Sequence, residues 1–267
     1  MSRSTITSFQ NSKIKLATKL VSKRERQKHN LFLIDYARDL ERALACHYTV
    51  EFVFYCESLA TDADKSLLDT LSDSEIYDVS PELMEKASYR QNPGGLVAIM
   101  QQKQQLTVKD AEKSHSDNIL GLVKLSKPGN IGALLRTADA IGFDTIFLID
   151  TPLDSYNPNI IRASTGAVFL DNIYQMTTFE ALDFFAEKQI SLVATHLDGT
   201  MNLYDFDFTE HPTAILLGTE DTGLEDIWVN HSDALVKIPM IGRLSDSLNV
   251  SVSGAIFMYE AHRQRHS

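Results

Sequence analysis

Ala214-Ile-Leu-Leu-Gly-Thr-Glu-Asp-Thr-Gly-Leu224 is an apolar run that stops at glycine. Consecutive aliphatic residues without alternation describe a strand covered on both faces, the signature of a parallel sheet. Gly218, at its end, lets a ligand approach the backbone closely, and Glu220 projects at the rim of the sheet. Taken alone, that carboxylate reads equally well as a partner for the dipole of a following helix.

The same pattern extends on both sides. Strands are predicted at 119–125, 145–149, 191–195 and 235–238, with helices at 131–141, 179–188 and 249–263. Strands alternating with helices make an α/β domain whose sheet is mostly parallel and covered on both faces. Ligands of such sheets bind beyond the carboxyl ends of the strands, which directs attention to two further segments. Leu125-Ser-Lys-Pro-Gly-Asn-Ile-Gly-Ala-Leu-Leu-Arg136 leaves a strand through a Pro-Gly turn. Asn130 is expected as the cap of the next helix, and Arg136 lies off its apolar stripe, placed for a phosphate or carboxylate. Ile238-Pro-Met-Ile-Gly-Arg-Leu-Ser-Asp-Ser-Leu-Asn249 leaves another strand and reaches a helix beginning near Ser247 or Asn249. Small residues Ser251, Ser253, Gly254 and Ala255 let that helix pack closely on a neighbour.

The first hundred residues read as a smaller α/β domain. Leu31-Phe-Leu-Ile34 and Val50-Glu-Phe-Val-Phe-Tyr55 are predicted strands, followed by a helix at 63–71 and a strand at 75–79. Ser80-Pro81 opens a helix through 87, and 95–100 closes the domain. The polar stretch 106–117 is expected as a linker. The expected division is therefore 1–105, 106–117 and 118–267.

A net charge of −11 opposes nucleic-acid binding in the mean, but the charge is unevenly distributed. Arg3, Lys13, Lys15, Lys19, Lys23, Arg24, Arg26 and Lys28 crowd the amino-terminal segment, where only Glu25 opposes them. A basic arm on an acidic body can still meet phosphates, while the apolar spacing of Ile14, Leu16, Leu20 and Val21 also fits a solvated amphipathic helix. Two cysteines, Cys46 and Cys56, match no zinc or disulfide framework, and no apolar run reaches the length of a membrane span. A cytoplasmic protein with no membrane partner is expected. No Gly-x-Gly-x-x-Gly follows a predicted strand and no P-loop is present, which argues against a nucleotide-cofactor oxidoreductase.

In order and spacing, the three loop segments resemble the signature motifs of the SpoU (TrmH) family of RNA ribose 2'-O-methyltransferases. Asn130 and Arg136 match the first motif, Gly218, Glu220 and Gly223 the second, and Ser247-Leu-Asn249 the third. Asn157-Pro-Asn-Ile-Ile-Arg-Ala-Ser-Thr-Gly166 is similar to the family segment that faces the active site. The amino-terminal half resembles the family's ribosomal-protein-like substrate-binding domain, with Asp35-Tyr36 where the family commonly has Glu-Gly. The resemblance implies a SPOUT fold with a trefoil knot, a homodimer, and S-adenosyl-L-methionine as cofactor, with no metal. It implies RNA as partner, with large-subunit ribosomal RNA favoured over transfer RNA; a non-catalytic RNA-binding member of the fold is the alternative. Arg136, Asn130, Glu220, Ser247 and Asn249 are the catalytic candidates. Thr195, His196, Leu217, Gly218, Ile238, Met240 and Leu248 are the candidates for cofactor binding. Lys23, Arg24, Arg26 and Arg162 are those for RNA.

Overall fold

The computed structural model describes residues 3–71, 74–111, 117–152 and 154–267. These form two compact units, Met1–Gln104 with Asp154–Phe169, and Gln105–Leu153 with Leu170–Ser267.

The first unit contains β1 (Ser4–Ile6), α1 (Ser12–Lys19), α2 (Lys23–His29), β2 (Leu31–Ile34), α3 (Ala37–Ala45), β3 (Val50–Tyr55), α4 (Asp62–Thr70), β4 (Ile76–Val79), α5 (Pro81–Ala87) and β5 (Leu96–Gln101). Its sheet runs β1-β4-β3-β5-β2, parallel at β1–β4–β3 and antiparallel at both edges of β5. Helix α1 turns Ile14 and Ala17 into the core, where they and Leu20 join Phe52, Phe54, Val97 and Ile99. Its amphipathic spacing therefore serves packing, while Lys15 and Lys19 stay on the outer face. Helix α5 begins as expected, with Pro81 in its first turn and the Ser80 hydroxyl accepting from the Leu83 N–H. Cys56 is buried and Cys46 half-buried, and neither is bound in a disulfide.

The second unit opens with β6 (Leu106–Thr107) and α6 (Val108–Ala111). The expected linker is corrected here: its first six residues are structured, with β6 pairing in parallel with a strand of the large sheet, and 112–116 lie outside the described residues. Next come β7 (Asn118–Val123), α7 (Pro128–Ile141) and β8 (Thr145–Ile149). The chain then enters the first unit, where Pro158–Ser164 forms α8, and returns as β9 (Ile173–Met176). A continuous domain from 118 to the C-terminus was expected; Asp154–Phe169 instead clusters with the amino-terminal unit. There follow α9 (Thr178–Glu187), β10 (Ser191–Thr195), β11 (Met201–Asn202), β12 (Thr213–Leu217), α10 (Asp226–His231), β13 (Ala234–Lys237) and α11 (Val250–Arg265).

The eight strands run β11-β13-β10-β12-β7-β8-β9-β6, and every pairing is parallel. β7, β8 and β12 bury nearly every residue, which is why they read as unbroken apolar runs. From β7 the chain builds outward through β8 to β9, whereas β12 lies on its other side. The strand order thus reverses at the β12–β7 pair, the position where open α/β sheets leave a crevice for ligands. Helix α11 closes over this point. At Gly254 an added Cβ would stand 2.4 Å from Leu134 Cδ2 and 2.6 Å from Leu217 Cδ1, so glycine there serves packing within the chain.

Candidate active site

The loops after β7 and β12 meet at the reversal. Helix α7 begins at Pro128 with Lys127 as its cap residue, so Asn130 stands inside the first turn and is not the cap expected for it. Proline fits the first helical position because its missing N–H would find no partner there. The Asn130 side chain is thereby left free for a distant partner: its Nδ2 donates to Glu220 Oε1 at 2.6 Å. Its Oδ1 accepts from Asn249 Nδ2 at 3.2 Å. Asn249 is the cap of α11 and accepts from the Ser251 N–H at 2.9 Å and the Ser251 hydroxyl at 2.6 Å.

Glu220 sits in a tight loop. Thr219 and Gly223 exchange both backbone hydrogen bonds at 3.0 Å, and Gly223 takes φ +70°, a conformation suited to glycine. A Cβ at Gly218 would lie 2.2 Å from the Gly223 carbonyl carbon, so the loop folds back flat against the end of β12. No helix starts until Asp226, which removes the alternative of a helix-dipole carboxylate. The signal missed in the sequence is Lys124, whose Nζ lies 2.7 Å from both Glu225 carboxylate oxygens and ties this loop to the end of β7. Nothing periodic marks a pair 101 residues apart.

Arg136 is exposed on α7 and pairs with no side chain among the described residues. Ser247 lies in the exposed stretch 239–249, outside the Glu220–Asn130–Asn249 chain of hydrogen bonds. The structure therefore joins three of the five catalytic candidates directly and leaves Arg136 and Ser247 unpaired beside them in sequence.

The cofactor candidates follow three neighbouring strands, β13, β10 and β12. Thr195 donates its hydroxyl proton to the Leu216 carbonyl at 2.9 Å, linking the ends of β10 and β12. The His196 N–H donates to Val236 O at 3.0 Å. The His196 ring accepts from the Asp198 N–H at Nδ1, 3.1 Å, which puts the proton of the neutral ring on Nε2 as a donor. Leu217 is buried and Ile238 half-buried, while Met240 and Leu248 are exposed. Apolar side chains around strand-end backbone and a ring N–H donor suit an adenosine with polar substituents.

The RNA candidates divide. Lys23 and Arg24 are exposed on α2, and Arg162 is exposed on α8. Arg26 is corrected: it is 2% exposed, so it does not offer its charge to a ligand. Its Nη1 donates to the carbonyls of Leu20 and Val21 at 2.7 Å, and its Nε and Nη2 donate to Asp154 Oδ2.

Comparison with known proteins agrees with this geometry. The model of the SpoU rRNA Methylase family matches residues 117–259, and that of the MRM3-like substrate binding domain matches residues 11–98. The 23S rRNA (uridine(2479)-2'-O)-methyltransferase of Streptomyces viridochromogenes is 32% identical over 210 residues, 75% of this chain and 71% of that protein. The 23S rRNA (guanosine(2553)-2'-O)-methyltransferase RlmP of Bacillus subtilis (strain 168) is 26% identical, covering 95% of this chain and 97% of its own. Among solved structures, an RNA 2'-O ribose methyltransferase superposes with a TM-score of 0.87 at 34% identity, over 100% of both chains. The SpoU methyltransferase AviRb from Streptomyces viridochromogenes, in complex with the cofactor AdoMet, gives 0.84 at 28% identity, over 97% of this chain and 99% of that one. Fold and site define a methyltransferase of the SPOUT class, with a substrate-binding domain ahead of it. The chain belongs to the SpoU family and is an S-adenosylmethionine-dependent RNA ribose 2'-O-methyltransferase.

Proposed function

We propose that this enzyme methylates a ribose 2'-hydroxyl in large-subunit ribosomal RNA, with Asn130, Arg136, Glu220, Ser247 and Asn249 as its catalytic set. The observation that carries the reading is the hydrogen-bonded chain Glu220–Asn130–Asn249, which joins all three loop motifs at the strand-order reversal. Ribosomal rather than transfer RNA is favoured by the substrate-binding domain and by relatives named for 23S rRNA.

S-adenosylmethionine, when bound, supplies a methyl group on a sulfonium, a strong electrophile. Thr195, His196, Leu217, Gly218, Ile238, Met240 and Leu248 would hold it, through strand-end backbone and apolar side chains. The protein's own work is then alignment and proton management. The ribose oxygen forms the new C–O bond as the methyl–sulfur bond breaks, and the hydroxyl proton passes to water or a neighbouring phosphate. Arg136 stays protonated, so it serves as a cation: it pairs with the adjacent phosphate and stabilises negative charge gathering on the ribose oxygen. Glu220, held by Asn130, orients the ribose, and Asn249 and Ser247 complete that shell.

The cations outside the catalytic set, Lys23, Arg24 and Arg162, contact RNA phosphates. The segment between β13 and α11 threads the knot of the SPOUT fold. Val252 and Tyr259, seven residues apart and both exposed on α11, offer a face for a second copy of the chain, and the protein works in the cytoplasm as a homodimer. No helix among the described residues is long and apolar enough to cross a membrane. The test is transfer of tritiated methyl from S-adenosylmethionine to RNA extracted from a strain lacking the protein. Label in large-subunit RNA supports the proposal, and label confined to transfer RNA overturns the choice of substrate.

A further inference from the structure

Arg26 is the most buried cation of the basic segment, and its fork contacts two separate stretches of chain. Nη1 closes the end of α1 through the Leu20 and Val21 carbonyls, at 2.7 Å each. Nε and Nη2 grip Asp154 Oδ2, at the point where the chain from the catalytic sheet enters the first unit. Asp154 Oδ1 in turn accepts from the Tyr156 N–H at 3.2 Å, and the Tyr156 hydroxyl bonds the backbone of Lys103. Further along the same stretch, Asn159 Nδ2 donates to the Tyr89 hydroxyl at 3.0 Å, and its Oδ1 lies 3.4 Å from Arg162 Nη2. Arg42 donates to both the carbonyl and the hydroxyl of Thr165.

Residues 154–169, which sequence assigns to the catalytic half, are thus bolted at both ends to the substrate-binding unit. Arg162, the exposed cation in the middle, is presented by that unit. We infer that Arg26 and Asp154 are positioning residues for RNA: their ion pair holds the strap bearing Arg162 against the helix bearing Lys23 and Arg24. An ion pair with side chains 2% and 13% exposed is screened little by solvent, so it can serve as a fixed joint where surface pairs cannot. The inference rests on the proposed contact of Arg162 with RNA.

The test is binding of the full chain to deproteinised large-subunit ribosomal RNA, with S-adenosylmethionine affinity measured alongside. Asp154→Ala is the main variant because it spares the buried arginine, with Arg162→Ala, the double variant and Arg26→Lys beside it. The expected result is a loss of RNA affinity of about 5- to 10-fold in each single variant, a shallower salt dependence, and a double variant little worse than either single one. S-adenosylmethionine affinity stays within about twofold of the parent, because sites that share no partners do not couple. If Asp154→Ala binds RNA normally while Arg162→Ala does not, the joint has no role in RNA binding and the inference falls. If S-adenosylmethionine affinity drops in parallel, the pair is general scaffolding and the inference falls as well. If Arg162→Ala itself binds normally, the RNA role of Arg162 is wrong, and with it both readings.

Discussion

Asn130 Nδ2 donates to Glu220 Oε1 at 2.6 Å, across 90 residues of sequence and across the one strand pair where the sheet order reverses. The bond ties the loop after β12 to the first turn of α7. Asn130 can make it because Lys127 and Pro128 start the helix three residues earlier and relieve the asparagine of capping.

Glu220→Ala should lower kcat by about 10- to 100-fold, the size of losing a hydrogen bond to a charged group of about 1.5–3 kcal/mol. Asn130→Asp should be as damaging, since it sets two carboxylates against each other. Steady-state methylation at saturating S-adenosylmethionine checks both. Unchanged turnover in either variant would remove the pair from the catalytic account.

Arg136→Lys should retain charge yet lose most turnover, because an ammonium cannot offer the planar fork that matches a phosphate. The expected fall is tenfold or more, about 1.4 kcal/mol in the barrier, with cofactor affinity preserved. Calorimetric titration with S-adenosylmethionine separates the two quantities.

Asp39 offers a pH-dependent test of stability. Its carboxylate is 1% exposed, Oδ1 pairs with Arg38, and Oδ2 has no partner. Burial raises its pKa above the usual carboxylate value, against the opposing pull of Arg38. The folded state therefore holds this proton more tightly than the unfolded state does. Below the ordinary Asp pKa both states are protonated and the group is neutral in its effect. As pH rises through the ordinary value toward the raised one, the unfolded chain ionises first and the fold loses stability. Asp39→Asn should abolish that loss and be more stable near neutral pH by about 1 kcal/mol, the lower end of the cost of an unsatisfied buried polar group. Urea denaturation at pH 4 and pH 7.5 measures it; equal stability of the two proteins at both values would refute the reading.

Gly254→Val should loosen α11 from α7 and β12, because even a Cβ there comes within 2.6 Å of two leucine methyls. Overpacking of this kind costs about 1–3 kcal/mol. The variant should also lose activity beyond its loss of stability, because α11 carries Asn249 as its cap.

Tyr259→Asp combined with Val252→Asp should yield monomers at micromolar concentration, if the exposed face of α11 is where two copies meet. Sedimentation velocity reads the outcome directly. A dimer that persists in the double variant would move the interface elsewhere.

How much of this was legible depended on burial. The strands of the large sheet announced themselves because β7, β8 and β12 are buried on both faces. β6 and β11, two residues each at the sheet edges, are too short to show any period. β9, Ile-Tyr-Gln-Met, carries a polar residue where an unbroken run was sought. The amino-terminal segment is visible as charge, and that same charge conceals Arg26: its partner is 128 residues away, and no local pattern separates a buried arginine from a solvated one. The same distance explains why the return of Asp154–Phe169 to the first unit escaped detection. The motif residues are legible through family resemblance, whereas their physical link through Asn130 exists only in the folded chain.

The most direct test of the central claim is the chemical position of the transferred methyl group. Ribosomal RNA from a strain lacking the protein is incubated with tritiated S-adenosylmethionine and enzyme, then hydrolysed with alkali, which cannot cleave next to a blocked 2'-oxygen. The account predicts label in alkali-resistant dinucleotides from large-subunit RNA, and none with Arg136→Ala. Label released as mononucleotides would mean methylation of a base and would contradict it.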